Sequence, residues 1–98
     1  MRSYAILLMA LTLAACAPGM PRGEAVSGCI SLCQEALKTA VLDSQCLGVL
    51  DSAWVCDVAH NPRAAQDNLA ENQCASYRNG SHRRFVEVTA NCTLIRTG

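Results

Sequence analysis

Hydrophobic and polar positions follow several rhythms along this chain, and each rhythm predicts a different element. Ala5–Leu13 is a nearly unbroken apolar run of nine residues, far short of the roughly 20 that a membrane-spanning helix needs. Ala17–Glu24 holds two prolines and two glycines and has little to bury, the composition of a short flexible tether. From Cys29 to Leu42 the period becomes helical, with Ser27 as the N-cap. Cys29, Cys33, Ala36, Leu37, Ala40 and Val41 fall on one face, and Gln34, Glu35, Lys38 and Thr39 fall largely on the other. Asp43-Ser44-Gln45 then stops the helix.

Beyond that turn the period shortens. Cys46–Leu50 is an apolar run too brief to classify. Trp54–Val58 alternates with period two, Trp54, Cys56 and Val58 on one side and Asp57 on the other, and predicts a strand stopped at Asn61-Pro62. Pro62 equally suits the start of a short helix through Leu69, with Asn61 as its cap. Gln66–Gln73 is polar and should lie on the surface. Asn79-Gly80 is a strong turn signal. Phe85–Thr89 predicts a second strand with Val86 and Val88 inward, and Cys92–Arg96 a last short one after Ala90-Asn91. The composite is α+β: one amphipathic helix stapled by disulfides to a small antiparallel sheet.

The first 16 residues have three parts, a head with Arg2, the apolar core and the small-residue exit Leu13-Ala14-Ala15-Cys16. That exit resembles the lipobox of bacterial lipoprotein precursors. The resemblance covers residues 1–16 and Ala17, and implies that Cys16 is lipid-modified and becomes the new N-terminus. It divides the chain into a signal peptide (1–15), a lipid-anchored N-terminus with tether (16–24) and a small disulfide-rich domain (25–98). Alanine at position 17 implies, in a diderm host, the outer membrane facing the periplasm.

Cysteine count supports the same division. The chain has seven cysteines, and an odd one in a secreted protein calls for an explanation. Setting Cys16 aside leaves Cys29, Cys33, Cys46, Cys56, Cys74 and Cys92, the parity of three bridges. Six cysteines allow 15 pairings; the helix and strand faces suggest Cys33–Cys56, Cys29–Cys92 and Cys46–Cys74. Three bridges at roughly 2–4 kcal/mol each would compensate for a core with only Trp54, Tyr77 and Phe85 as large rings.

Charge narrows the function classes. Without Arg2, seven basic side chains face eight acidic ones, a net charge of about −1, which does not suit a nucleic-acid binder. Arg78, His82, Arg83 and Arg84 form the densest positive cluster, a candidate patch for an anionic envelope component or envelope protein. Cys29-x3-Cys33 with Cys56-x3-His60 is a conceivable zinc set, but it lacks close C-x2-C pairs, so no metal or other cofactor is assigned. Asn79 and Asn91 each head an N-glycosylation pattern. The expectation is a cell-envelope lipoprotein acting as a non-catalytic binding or structural module, held to the membrane by its lipid. The alternative is a small hydrolase or transferase using His60 or His82.

Overall fold

The computed structural model describes residues 19–98, so the apolar run and the Leu13–Cys16 motif lie outside the described residues. Helix α1 spans Arg22–Leu37, and strands β1 (Gln45–Val49), β2 (Trp54–Val58), β3 (Arg84–Val88) and β4 (Leu94–Thr97) form one sheet in the order β1-β2-β3-β4. Between β2 and β3 the chain makes two 3-10 turns, Ala65–Asn68 and Ala70–Asn72, and a one-turn helix α2, Ala75–Arg78.

Helix α1 starts earlier than the periodicity predicts. Pro21, already at φ −64°, supplies its N-cap, and Glu24 in the first turn complements the positive end of the dipole. Residues 22–24, read as tether, therefore belong to the helix. Met20 is fixed as well: its N–H donates to Asp51 Oδ2 at 2.6 Å, and its carbonyl accepts Trp54 Nε1 at 2.9 Å. The helix also ends at Leu37, so Val41 is 94 % exposed instead of lying on the buried face. Leu42 turns back into the core in its place.

The buried stripe of α1 is Ala25, Cys29 and Cys33, one turn apart on one face. Their small side chains let the helix approach the sheet closely. It packs over Trp54, Cys56 and Val58 of β2 and Val86 and Val88 of β3, which form the core with Leu42 and Cys92.

The α+β architecture holds, with one helix stapled to a small sheet. The sheet is mixed, however: β1–β2 and β3–β4 are antiparallel, and β2–β3 is parallel. A parallel pair needs a crossover of a dozen or more residues, and the segment 59–83 supplies it. Asn79-Gly80 accordingly closes α2 and does not join a hairpin. Strand β4 begins at Leu94, later than predicted, because residues 89–93 form a turn. There Thr93 N–H donates to Thr89 Oγ1 and Thr93 Oγ1 to Asn91 Oδ1, at 3.1 and 3.0 Å. A bulge between Cys46 and Gly48 shifts the β1–β2 register, and Gly48 sits there at φ +144°, where a side chain would be strained.

Three disulfides close the domain: Cys29–Cys56, Cys33–Cys92 and Cys46–Cys74. The last is as predicted, and the first two exchange partners. Sequence periodicity placed Cys29 and Cys33 on the correct face but could not give the direction in which α1 crosses the sheet. Cys29 lies over β2, and Cys33, a turn further along, reaches the turn that follows β3.

Candidate binding cleft

The sheet face away from α1 carries the other half of each alternation: Val55 and Asp57 from β2, Phe85 and Glu87 from β3, and Arg96 from β4. The crossover folds over one end of this face. The result is a cleft of about 280 Å³ lined by Val55, Asp57, Arg63, Gln73, Tyr77, Phe85, Glu87 and Arg96, with the Cys46–Cys74 bridge at its wall.

Its charged groups are arranged unequally. Glu87, with a side chain only 5 % exposed, accepts Arg63 Nη1 at 2.9 Å and Arg96 Nε at 3.0 Å. Arg63 is fully engaged, since its Nε donates to Asn68 Oδ1 and its Nη2 to the Asp67 carbonyl. Asp57 stands beside Glu87 in the parallel register. Its Oδ1 is shut off from solvent and has no hydrogen-bond donor among the described residues. Burial pushes this carboxyl up to about 7, the charge of Glu87 adds to the rise, and Arg63 opposes it. Tyr77 and Phe85 meet edge to face at 5.4 Å, and the Arg96 guanidinium lies 5.3 Å from the Phe85 ring centre.

A second polar knot braces the crossover within itself and reaches the segment before β1. Asp67 has no exposed side-chain surface and accepts the N–H groups of His60 and Ala64 at 3.0 and 2.8 Å. Its other oxygen meets His60 Nδ1 at 3.0 Å, and His60 Nε2 lies 2.8 Å from Asp43. Burial opposes ionisation of Asp67, but the N–H groups and the His60 ring outweigh it and hold the carboxyl well below its usual range. The same hydrogen bond raises His60. Both ring nitrogens are thus engaged by carboxylates, and no hydroxyl or thiol meets either histidine among the described residues.

The predicted positive patch is divided by the sheet. Arg78 lies on the cleft side, where Nη1 donates to Gln73 Oε1 at 3.0 Å. Arg84, at the start of β3, lies on the helix side with its guanidinium 4.2 Å from the Trp54 ring centre. His82 is half-buried between them, its N–H donating to the Ser76 carbonyl, and Arg83 is exposed. The zinc set is not assembled, because all three of its cysteines are in disulfides. Among the described residues no group of three or more histidine, cysteine and carboxylate side chains is placed to hold a metal, and no helix is long and apolar enough to cross a membrane.

The cleft residues Asp57, Glu87, Arg63 and Arg96 were not singled out by the sequence. A signal did exist: with Val86 and Val88 inward, alternation turns Glu87 to the same open face as Asp57. Nothing in the sequence places β2 beside β3, however, so the two carboxylates could not be recognised as neighbours.

No protein-family model, curated protein or solved structure matches the chain.

Proposed function

We propose that the chain is a small lipid-anchored protein of the cell envelope whose domain is a non-catalytic binding module, with the open-face cleft as its binding place. One observation carries the reading. Each of the six cysteines from Cys29 to Cys92 has a partner within the domain, so Cys16 alone is left over for the lipid. Bridges on this scale suit an oxidising envelope compartment.

The entry of the chain supports the same reading. Met20 is clamped on both sides by the 51–54 segment, and four residues of extended chain span at most roughly 14 Å. A lipid on Cys16 would therefore keep this end of the domain close to the bilayer. Arg22 and the Trp54-stacked Arg84 lie at that end, and Arg83 adjoins it, within reach of anionic head groups or another acidic envelope component.

Mass analysis of the membrane-extracted protein tests the anchor. The expected product starts at Cys16, carries acyl chains on it and has three disulfides. A Cys16→Ser variant that still partitions into membranes would overturn the anchor. The binding role is tested separately by a small-molecule extract of the envelope. Such an extract should raise the Tm of the wild type and not that of Gln73→Trp, which fills the cleft. Equal shifts would remove the cleft from the reading.

A further inference from the structure

Neighbouring groups in the cleft differ in charge, and this difference specifies a ligand class. Glu87 is shared by two guanidinium groups, which leaves that triad with one surplus positive charge. Arg63 has committed each of its donor nitrogens to a protein acceptor. Arg96 has committed only its Nε among the described residues, so its terminal nitrogens remain open to a ligand. Beside Glu87 in the parallel register, Asp57 also lines the cleft, and its Oδ1 lacks a donor among the described residues. Val55, Tyr77 and Phe85 provide an apolar wall in the same cleft.

A simple cation would meet the surplus positive charge of the triad, and a simple anion would meet the ionised Asp57. A molecule with one charge of each sign satisfies both the triad and Asp57. We propose that the cleft binds a small zwitterion, a free amino acid or short peptide with an apolar side chain. Its ammonium group pairs with Asp57, its carboxylate with Arg96, and its side chain packs on Tyr77 and Phe85. The cleft volume, about 280 Å³, lies just below the range of drug-sized sites and suits a ligand of this scale. Paired opposite charges with charge-assisted hydrogen bonds would fix its orientation. This assignment rests on reading the cleft as the binding place of the module.

Binding of this kind depends on pH. Asp57 must be ionised to receive an ammonium group, and its carboxyl titrates near 7. The ionisable groups around it are Glu87 from β3, Arg63 and Asp67 from the crossover, Tyr77 from α2 and Arg96 from β4; β1 brings only Cys46, which is in a disulfide. As pH falls below about 7, the proton competes with the ligand, and affinity should drop up to about tenfold per unit.

The test is isothermal titration of the full, membrane-extracted protein with L-leucine, N-acetyl-L-leucine, L-leucine methyl ester and leucyl-leucine. Free leucine or the dipeptide should bind at least about tenfold more tightly than either blocked derivative. Asp57→Asn, which keeps the side-chain shape, should lose about tenfold for leucine and no longer discriminate against the N-acetyl form. Arg96→Gln should instead lose discrimination against the methyl ester. Equal binding of free and blocked forms would overturn the proposal, as would no binding of leucine or the dipeptide at millimolar concentration. If an envelope extract still protects the wild type and not Gln73→Trp, the binding role survives and only this ligand chemistry fails.

Discussion

The two faces of the sheet use opposite means. Toward α1, the faces of β2 and β3 are apolar, with Trp54, Cys56, Val58, Val86 and Val88 all buried and two disulfides tying them to the helix and the last turn. Away from α1 the same two strands present Asp57 and Glu87 side by side. The crossover over them is held to the sheet by one disulfide and the Arg63–Glu87 pair, and braced within itself by hydrogen bonds to Asp67. Burying apolar surface is favourable at about 25 cal/mol per Å², whereas burying adjacent carboxylates costs free energy unless each finds donors. The helix face therefore provides most of the stability, and the open face is free to hold groups that the fold does not need.

The largest effect that could break this comparison is covalent. Replacing Cys33 and Cys92 by Ser opens the longest loop, of sequence separation 59, and should cost about 4 kcal/mol on the chain-entropy estimate. Replacing Cys46 and Cys74 opens a shorter one, of separation 28, and should cost about 3.5 kcal/mol. Urea denaturation of both pairs gives the ranking. A larger loss at Cys46–Cys74 would mean that the open face contributes more stability than the helix face.

Next in size is the knot that braces the crossover. Asp67→Ala leaves the His60 and Ala64 N–H groups without their acceptor and should cost about 2–3 kcal/mol. The pH dependence gives an independent check. Asp67 is held below its unfolded value of 3.8, so its contribution is complete above about pH 4 and is lost as pH falls through the lower folded value. His60 is raised above 6.5, so its contribution is complete below that value and fades as pH rises through the raised one. The wild type should thus lose stability on acidification more steeply than Asp67→Ala. Parallel acid-unfolding curves would show that the Asp67 carboxylate is not what holds the crossover.

What the sequence revealed follows the same division between faces. Local alternation correctly assigned Trp54, Cys56, Val58, Val86 and Val88 to one side, because each strand records its own buried face. It could not show that β2 and β3 run parallel, since strand partners are set by where the crossover returns. The cleft depends on that pairing: Asp57 meets Glu87 only across it, and Arg63 and Arg96 arrive from distant segments. The arginine cluster was legible as composition, yet it is divided because Arg78 ends a helix and Arg84 begins a strand whose first side chain, though exposed, lies on the helix side over Trp54. A run of neighbours in sequence need not share a surface. The helix start was misplaced for a similar reason, since the clamp on Met20 comes from Asp51 and Trp54, more than thirty residues away.

The smallest predicted effect has the opposite sign and is the sharpest test of the open face. The Asp57 carboxyl titrates near 7 in the folded domain and near 3.8 when unfolded. Between those values the folded state keeps a proton that the unfolded chain releases, so stability declines as pH rises from about 4 to about 7 and then levels off. A shift of that size would convert to about 4 kcal/mol, but the carboxyl is only partly buried, and solvent screening reduces the figure to about 1–2 kcal/mol. Asp57→Asn removes the charge and keeps the shape, so at pH 8 the variant should be more stable than the wild type by that amount. At pH 4, where the wild-type carboxyl is protonated in the fold, the difference should shrink toward zero. Urea denaturation at the two pH values measures both. A variant that is less stable at pH 8, or equally displaced at both, would mean that Asp57 serves the fold. The open face would then be a second structural face, and the contrast with the helix face would disappear.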